Sequence, residues 1–201
     1  MTVNDERKLL RASLRERRKA LTAAERIAAA EGVASSLAQL ADFIVDELIA
    51  GYWAIDGELP LHVVVGQLSQ RGQRYCLPRI SGPRELSFVP WSAGAELESN
   101  RYGIPEPVCT EQDLLAPQAL DIVLVPLLGF DRMGHRIGYG GGYYDASFSF
   151  LRDRAEAERP LLVGIGYAAQ QLDAIETEEW DVKLDYIATE KELIDCWGDA
   201  E

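Results

Sequence analysis

Asp121-Ile122-Val123-Leu124-Val125-Pro126 is an unbroken apolar run closed by proline, and ten residues later the chain reads Arg136-Ile137-Gly138-Tyr139-Gly140-Gly141-Gly142-Tyr143-Tyr144-Asp145. A short apolar run of this kind is the mark of a strand buried on both faces. The second stretch packs four glycines and three tyrosines into Gly138–Tyr144, and an apolar-periodic segment near Tyr144–Arg154 follows as a predicted helix. Glycines let backbone N–H groups approach an anion without interference from side chains, and a helix start adds unpaired donors and a positive dipole end. The pattern predicts a phosphate cradle with Asp145 beside it, in reach of a magnesium ion. It is not a Walker loop, because no Gly-Lys-Ser/Thr follows. Tyr143 stands where the dinucleotide fingerprint needs its third glycine.

Working outward, residues 5–20 predict a first, basic helix. Leu10, Leu14 and Leu21 form its narrow apolar stripe, and Arg7, Arg11 and Arg18 lie at the stripe's edge, where the helix meets the protein body. Thr22-Ala-Ala-Glu25 is a capping box for a second helix to about Leu40. Leu48–Ala54 reads as a buried strand, Leu61–Gln70 as a helix behind Pro60, and Gln73–Pro78 and Leu86–Trp91 as strands around a Ser81-Gly82-Pro83 turn. Residues 92–120 read as a long irregular loop, a kind often functional. Leu161–Tyr167 and Tyr186–Ala188 are strands, and Thr189 with Glu192 predicts the cap of a last helix. Alternating strands and helices give an α/β class: a three-layer, mostly parallel sheet with helices on both faces, in a single domain over residues 1–201. Ligands in such sheets bind at the carboxyl ends of strands, where the glycine loop falls.

The net charge is −13, which disfavours nucleic acid and anionic membranes as partners. Residues 1–19 nevertheless hold seven basic against three acidic side chains, leaving −17 for the remainder, so cations are concentrated at one end. Cys76, Cys109 and Cys196 have no metal-ligand spacing, and scattered cysteines fit reduced thiols in a cytoplasm. There is no run of membrane-spanning length and no signal-peptide core, so a cytoplasmic, soluble monomer is expected.

Other candidates are plainer when read singly. Glu58, in Asp56-Gly57-Glu58, is a turn carboxylate after a strand. Trp53 and Tyr102 are large aromatics of the packing type. Asp181 and Asp185 both lie near a short strand, and either could be a second metal carboxylate. No nucleophile is supported: Cys109 lies in the long loop without a histidine or helix start beside it.

Taken together and in order along nearly the whole chain, these segments resemble the 5-formyltetrahydrofolate cyclo-ligase (5,10-methenyltetrahydrofolate synthetase) family. The resemblance is carried by Leu10-Arg11, Ala20–Glu25, Asp56–Leu59, Arg101–Pro107 (Arg-Tyr-Gly-Ile-Pro-Glu-Pro), Val125-Pro126, Phe130-Asp131, Gly134, Arg136–Asp145 and Glu179-Trp180-Asp181. It departs at Pro60, at Gly141 where some members carry a lysine, and at Arg7, often lysine. The resemblance implies ATP- and Mg2+-dependent cyclisation of 5-formyltetrahydrofolate to 5,10-methenyltetrahydrofolate. It implies that Arg7, Lys8, Leu9, Leu10 and Arg11, with Arg136, Ile137, Gly138, Tyr139, Gly140, Gly141, Gly142, Tyr143 and Tyr144, bind ATP. Arg136 and Tyr144 are then the catalytic pair, and Asp145 and Asp181 the metal carboxylates. Folate contacts fall to Arg11, Trp53, Glu58, Tyr102, Tyr139, Gly140–Gly142 and Tyr143. Two other readings are a folate- or nucleotide-binding protein without catalysis and, by fold analogy, a sugar-phosphate isomerase or acyl-CoA transferase.

Overall fold

The computed structural model describes residues 3–197, with side chains from residue 6 onward. The helices are α1 (Val3–Lys19), α2 (Ala23–Leu37), α3 (Ala41–Val45), α4 (His62–Gln70) and α5 (Tyr143–Ser147). The strands are β1 (Leu48–Ala50), β2 (Arg74–Gly82), β3 (Glu85–Pro90), β4 (Leu97–Ser99), β5 (Pro105–Pro107), β6 (Ile122–Pro126), β7 (Gly129–Phe130), β8 (Arg136–Ile137), β9 (Leu161–Ile165), β10 (Tyr186–Ala188) and β11 (Leu193–Asp195). The main sheet runs β11-β10-β9-β6-β1-β2-β3; its five inner strands are parallel, and both edge strands are antiparallel to their neighbours.

Strand β6 shows why the sheet is covered twice. Ile122 and Leu124 join the core under α2 and α4, while Val123 and Val125 join a second core with Phe148, Leu151 and Leu184. Alternate side chains point to opposite faces, so a continuously apolar strand needs a layer on each side. The second layer is thin. The helix expected to reach Arg154 ends at Ser147 and gives way to a 3-10 turn at Ser149–Leu151.

Chain order reverses between β1 and β6, which pair in parallel with Ile49 opposite Ile122 and Ala50 opposite Val123. The chain leaves β1 toward β2 on one side and returns to β6 on the other. Loops from the two carboxyl ends therefore diverge and leave a crevice. One loop carries Glu58; the other leads through the β7–β8 hairpin to the glycine loop.

Some local expectations are corrected. The Thr189 segment starts no helix: Thr189 Oγ1 accepts from the Lys191 and Glu192 N–H groups (3.2 Å each), and the turn feeds antiparallel β11. Glu192 reaches Arg132 (2.9 and 3.0 Å) instead of closing a capping box, and Ile194 is buried at the sheet edge. The strand expected to Ala54 ends at Ala50. Strand β2 runs on to Gly82, so the turn moves to Pro83-Arg84, with Arg84 at φ 60°. The 92–120 loop holds the small β4–β5 hairpin.

The box at α2 is complete. Thr22 N–H donates to Glu25 Oε2 (2.7 Å), and Glu25 N–H donates to Thr22 Oγ1 (3.3 Å). Thr22→Ala should lower stability by about 1 kcal/mol, seen as an earlier urea midpoint with an unchanged slope; an unmoved midpoint would show that the cap contributes nothing. No helix among the described residues is long and apolar enough to cross a membrane.

Candidate functional site

The glycine loop is shaped by its backbone. Gly140 (φ 97°) and Gly142 (φ 69°) adopt left-handed conformations that side chains rarely tolerate. A Cβ on Gly140 would sit 3.6 Å from the Arg11 guanidinium, which already donates from Nε to the Gly138 carbonyl (3.0 Å). Gly142 precedes α5, a helix of five residues, so the dipole anticipated from a longer helix is reduced.

Helix α1 lies against this loop on Leu14, which is fully buried with Leu128, Ile137 and Ile175; Leu10, Leu172 and Tyr139 pack around them. Arg7 Nη2 donates to the Glu176 carbonyl (2.5 Å) and to Asp181 Oδ2 (3.2 Å). Burial and the neighbouring charges of Arg7 and Arg15 lower the pKa of Arg11, with Asp181 acting the other way. Guanidinium groups are protonated at neutral pH regardless, so the crowding describes a local excess of positive charge suited to an anion. Lys8 and Leu9 point outward, Leu9 being 61% exposed.

Asp131 draws the closing segment toward the loop. Nearly buried, it accepts from the N–H groups of Met133, His135 and Ile175 (3.0 Å each). The chain then passes Glu176 and Asp181 alongside the glycine loop. Asp145 pairs with Arg136, which also donates to the Val182 carbonyl, and Asp145 Oδ1 accepts the Val182 N–H (3.2 Å). Asp145 thus bonds to the residue following Asp181, and two carboxylates and two arginines converge. Asp181 Oδ2 also accepts the Glu178 N–H (2.9 Å). Asp145 Oδ2 and Asp181 Oδ1 have no hydrogen-bond partner among the described residues.

Asp185 sits differently. It is 0% exposed and accepts from Arg154, the Leu162 N–H (2.7 Å) and the Trp197 indole (2.7 Å). Burial raises its pKa, with those hydrogen bonds and the Arg154 charge opposing. It is a core ion pair between strands, occupied on both oxygens. Of the two aspartates the sequence left open, Asp181 is the one beside Asp145.

Glu58 is 8% exposed and accepts the Ile55 N–H at Oε2 (2.9 Å). Burial raises its pKa above the ordinary carboxylate range. A hydrogen bond from Tyr139, the Ile55 N–H and the Arg18 charge pull it back, and Asp56 adds to the rise. Burial also raises the Tyr139 and Tyr144 hydroxyls, each pushed further by the Glu58 charge, so both remain neutral donors. Tyr144 also feels the Arg136 charge, which opposes that rise.

A cavity of about 700 Å3 opens beside the loop, lined by Gly140, Gly141 and Tyr143, by Ile80–Arg84 of the β2–β3 hairpin, and by Arg101 and Tyr102. This volume is within the ordinary range for small-molecule sites, about 300–1,000 Å3. Tyr102 and Tyr143 meet edge to face with their hydroxyls 3.1 Å apart. The long loop therefore contributes to the site through Arg101-Tyr102. Trp53 packs edge to face on Trp91 (5.8 Å), and none of its ring contacts joins it to the glycine loop or to this cavity.

The sequence pattern of the 5-formyltetrahydrofolate cyclo-ligase family matches residues 3–190. The chain belongs to that family. The 5-formyltetrahydrofolate cyclo-ligase of Haemophilus influenzae is 30% identical over 89% of this chain and 94% of its own length. The Escherichia coli cyclo-ligase is 29% identical over 88% of this chain and 96% of its own. In three dimensions the chain is similar to the 5,10-methenyltetrahydrofolate synthetase of Aquifex aeolicus, with a TM-score of 0.80 and 28% identity over 97% of this chain and 95% of that one. Membership places the chain among ligases and agrees with the α/β sheet described above.

Arg18, to which the family resemblance gives no role, is 1% exposed and sits over the ring of Tyr139. Its position at the edge of the apolar stripe of α1, shared with Arg7 and Arg11, was the available signal.

Proposed function

We propose that this chain performs the ATP- and magnesium-dependent cyclisation of 5-formyltetrahydrofolate to 5,10-methenyltetrahydrofolate, releasing ADP and phosphate. The observation that carries the reading is the convergence of Arg136, Asp145, Asp181, Arg7 and Arg11 on one positive-φ glycine loop at the sheet's switch point. An N-formyl oxygen is a poor leaving group. Transfer of the γ-phosphoryl group to that oxygen gives an activated imidate phosphate; N10 attacks its carbon and loses its proton, and the oxygen departs with phosphate. No enzyme nucleophile is required, only positioning and charge neutralisation.

In this reading Arg7, Lys8 and Arg11 meet the nucleotide's anionic groups, with Leu9 and Leu10 carrying the segment. Arg136 to Tyr144 wrap ATP through backbone N–H groups, and Arg136 and Tyr144 face the reacting centre. Glu58 accepts from the pterin's N–H edge. Tyr139, Gly140–Gly142, Tyr143 and Tyr102 border the folate, and Trp53, held against Trp91, is left out of that surface. No group of three or more His, Cys, Asp or Glu able to hold a metal occurs among the described residues. Two carboxylates, each with an oxygen to spare, suit an ion that completes its shell with water and phosphate oxygens, as magnesium does. When bound there, magnesium would neutralise phosphate charge; Asp145 and Asp181 would hold it, and Arg136 and Arg7 would fix those carboxylates.

The test is purified protein with 5-formyltetrahydrofolate, followed by absorbance of the methenyl product. Product should form only when ATP and magnesium are both present, and formation without ATP would sink the mechanism. Folate and ATP binding without turnover would instead favour a non-catalytic binding protein, the reading against which the Arg136–Asp145 pair counts.

A further inference from the structure

Arg18 is the largest side chain among those fully buried in the described residues, and a buried guanidinium is costly unless it is held. One amino group donates to Tyr139 Oη. The other donates to the Asp56 carbonyl (2.7 Å) and to Asp56 Oδ2 (3.2 Å). The guanidinium carbon lies 5.4 Å from the centroid of the Tyr139 ring. Its Nε has no partner among the described residues. Burying this charge is therefore only partly compensated, and α1 already rests on the apolar cluster around Leu14. Packing alone would be served better by an apolar side chain.

The two ends of Arg18 reach different parts of the site. Tyr139 belongs to the glycine loop, and Asp56 begins the turn that presents Glu58. The Asp56-Gly57 turn holds both residues at positive φ (49° and 80°), so its geometry depends on outside support. Arg18 also sets a direction. Because guanidinium N–H groups only donate, Tyr139 Oη accepts from Arg18 and turns its own proton toward Glu58. That proton and the Ile55 N–H both reach the Glu58 carboxyl in a dry setting and fix its orientation.

We propose that Arg18 is a positioning residue for folate: it locks the Tyr139 hydroxyl and the 56–58 turn together, so that the glycine loop and Glu58 are presented as one surface. The proposal rests on the reading of Glu58 and Tyr139 as folate contacts. It assigns α1 a second role, with Arg7 and Arg11 facing the nucleotide side and Arg18 the folate side.

The test is a double-mutant cycle read by calorimetry at pH 7, titrating 5-formyltetrahydrofolate and, separately, a nonhydrolysable ATP analogue with magnesium. Arg18→Lys keeps the charge but loses the fork, and should weaken folate binding by about tenfold with the nucleotide within about threefold. Tyr139→Phe should weaken folate comparably. In the double variant the loss should match the larger single loss, since both remove one chain of bonds. Losses that multiply, or an equal loss of nucleotide binding, overturn the proposal. A wild-type protein that binds no folate overturns the functional reading itself, which is a separate result. If Arg18→Lys does not fold, Asp56→Asn on the exposed turn replaces it. That change should cost about threefold in folate affinity and nothing in the Tyr139→Phe background; equal costs in both backgrounds overturn the proposal.

Discussion

Asp145→Asn should lower turnover by at least about 10²-fold, the scale of losing one charge-stabilising element, while the protein remains folded. Asparagine keeps an oxygen that can accept the Val182 N–H and a shape that fits beside Arg136, but it removes the negative charge. Alanine is the poorer probe. Asp145 pairs with an Arg136 side chain only 7% exposed, so truncation strands a nearly buried guanidinium and the Val182 N–H. Such unpairing costs several kcal/mol, about 3–5 for a buried pair broken from one side, and part of the activity loss of Asp145→Ala would then be structural. The asparagine variant separates charge from architecture. Its melting temperature should stay close to the wild type, its affinity for the ATP analogue should depend less on magnesium, and its turnover should collapse. Normal turnover of Asp145→Asn at low magnesium would remove Asp145 from the metal assignment.

The sheet was legible because its decisive strand is unambiguous. Ile122–Pro126 is apolar at every position, and only a strand covered on both faces uses all of them. The place of the glycine loop, past the carboxyl end of that strand, follows from the same reading. The partners of the site were less legible, because they are set by contacts distant in sequence. Nothing local distinguishes Asp181 from Asp185; the difference is that Arg154 and Trp197 enclose Asp185 in the core. Nothing local reveals that Asp145 answers Arg136, or that Asp131 ties the hairpin turn to Ile175. The Thr189-x-x-Glu192 spacing misled for a related reason. The same side-chain cap that starts a helix can close a turn, and the outcome was decided by the open edge of β10 and the burial of Ile194. Length was misjudged after the glycine loop, where Phe148 turns inward to the core and ends α5 early.

Glu58→Gln should weaken folate binding and leave ATP affinity nearly unchanged, while stability moves the other way. A carboxylate facing two pterin N–H donors accepts from both. The amide offers one acceptor and turns a donor against the other, at a cost of about 1–3 kcal/mol, so folate affinity should fall about 5- to 150-fold by the same arithmetic. The stability effect follows from burial. Desolvation raises the carboxyl's pKa in the folded protein above its ordinary value of 4.5. A group with a raised folded pKa contributes stability that is fully present below the unfolded value and lost as pH rises through the folded one. The wild type therefore loses stability from this group as pH climbs upward from about 4.5, and glutamine, which does not titrate, escapes the loss. The melting temperature of Glu58→Gln relative to wild type should rise as pH climbs from about 4.5 and level off once the pH has passed the raised folded pKa. Arg11→Ala gives the complementary result: it should weaken the ATP analogue, since a phosphate loses its cation, and spare folate more than Glu58→Gln does. A purely structural Glu58 would lose stability and both ligands together. Loss of nucleotide with folate retained would reverse the placement of the two ligands around the loop. Only a buried carboxyl that costs the fold stability, for the sake of what it binds, predicts weaker folate and a more stable protein from the same single change.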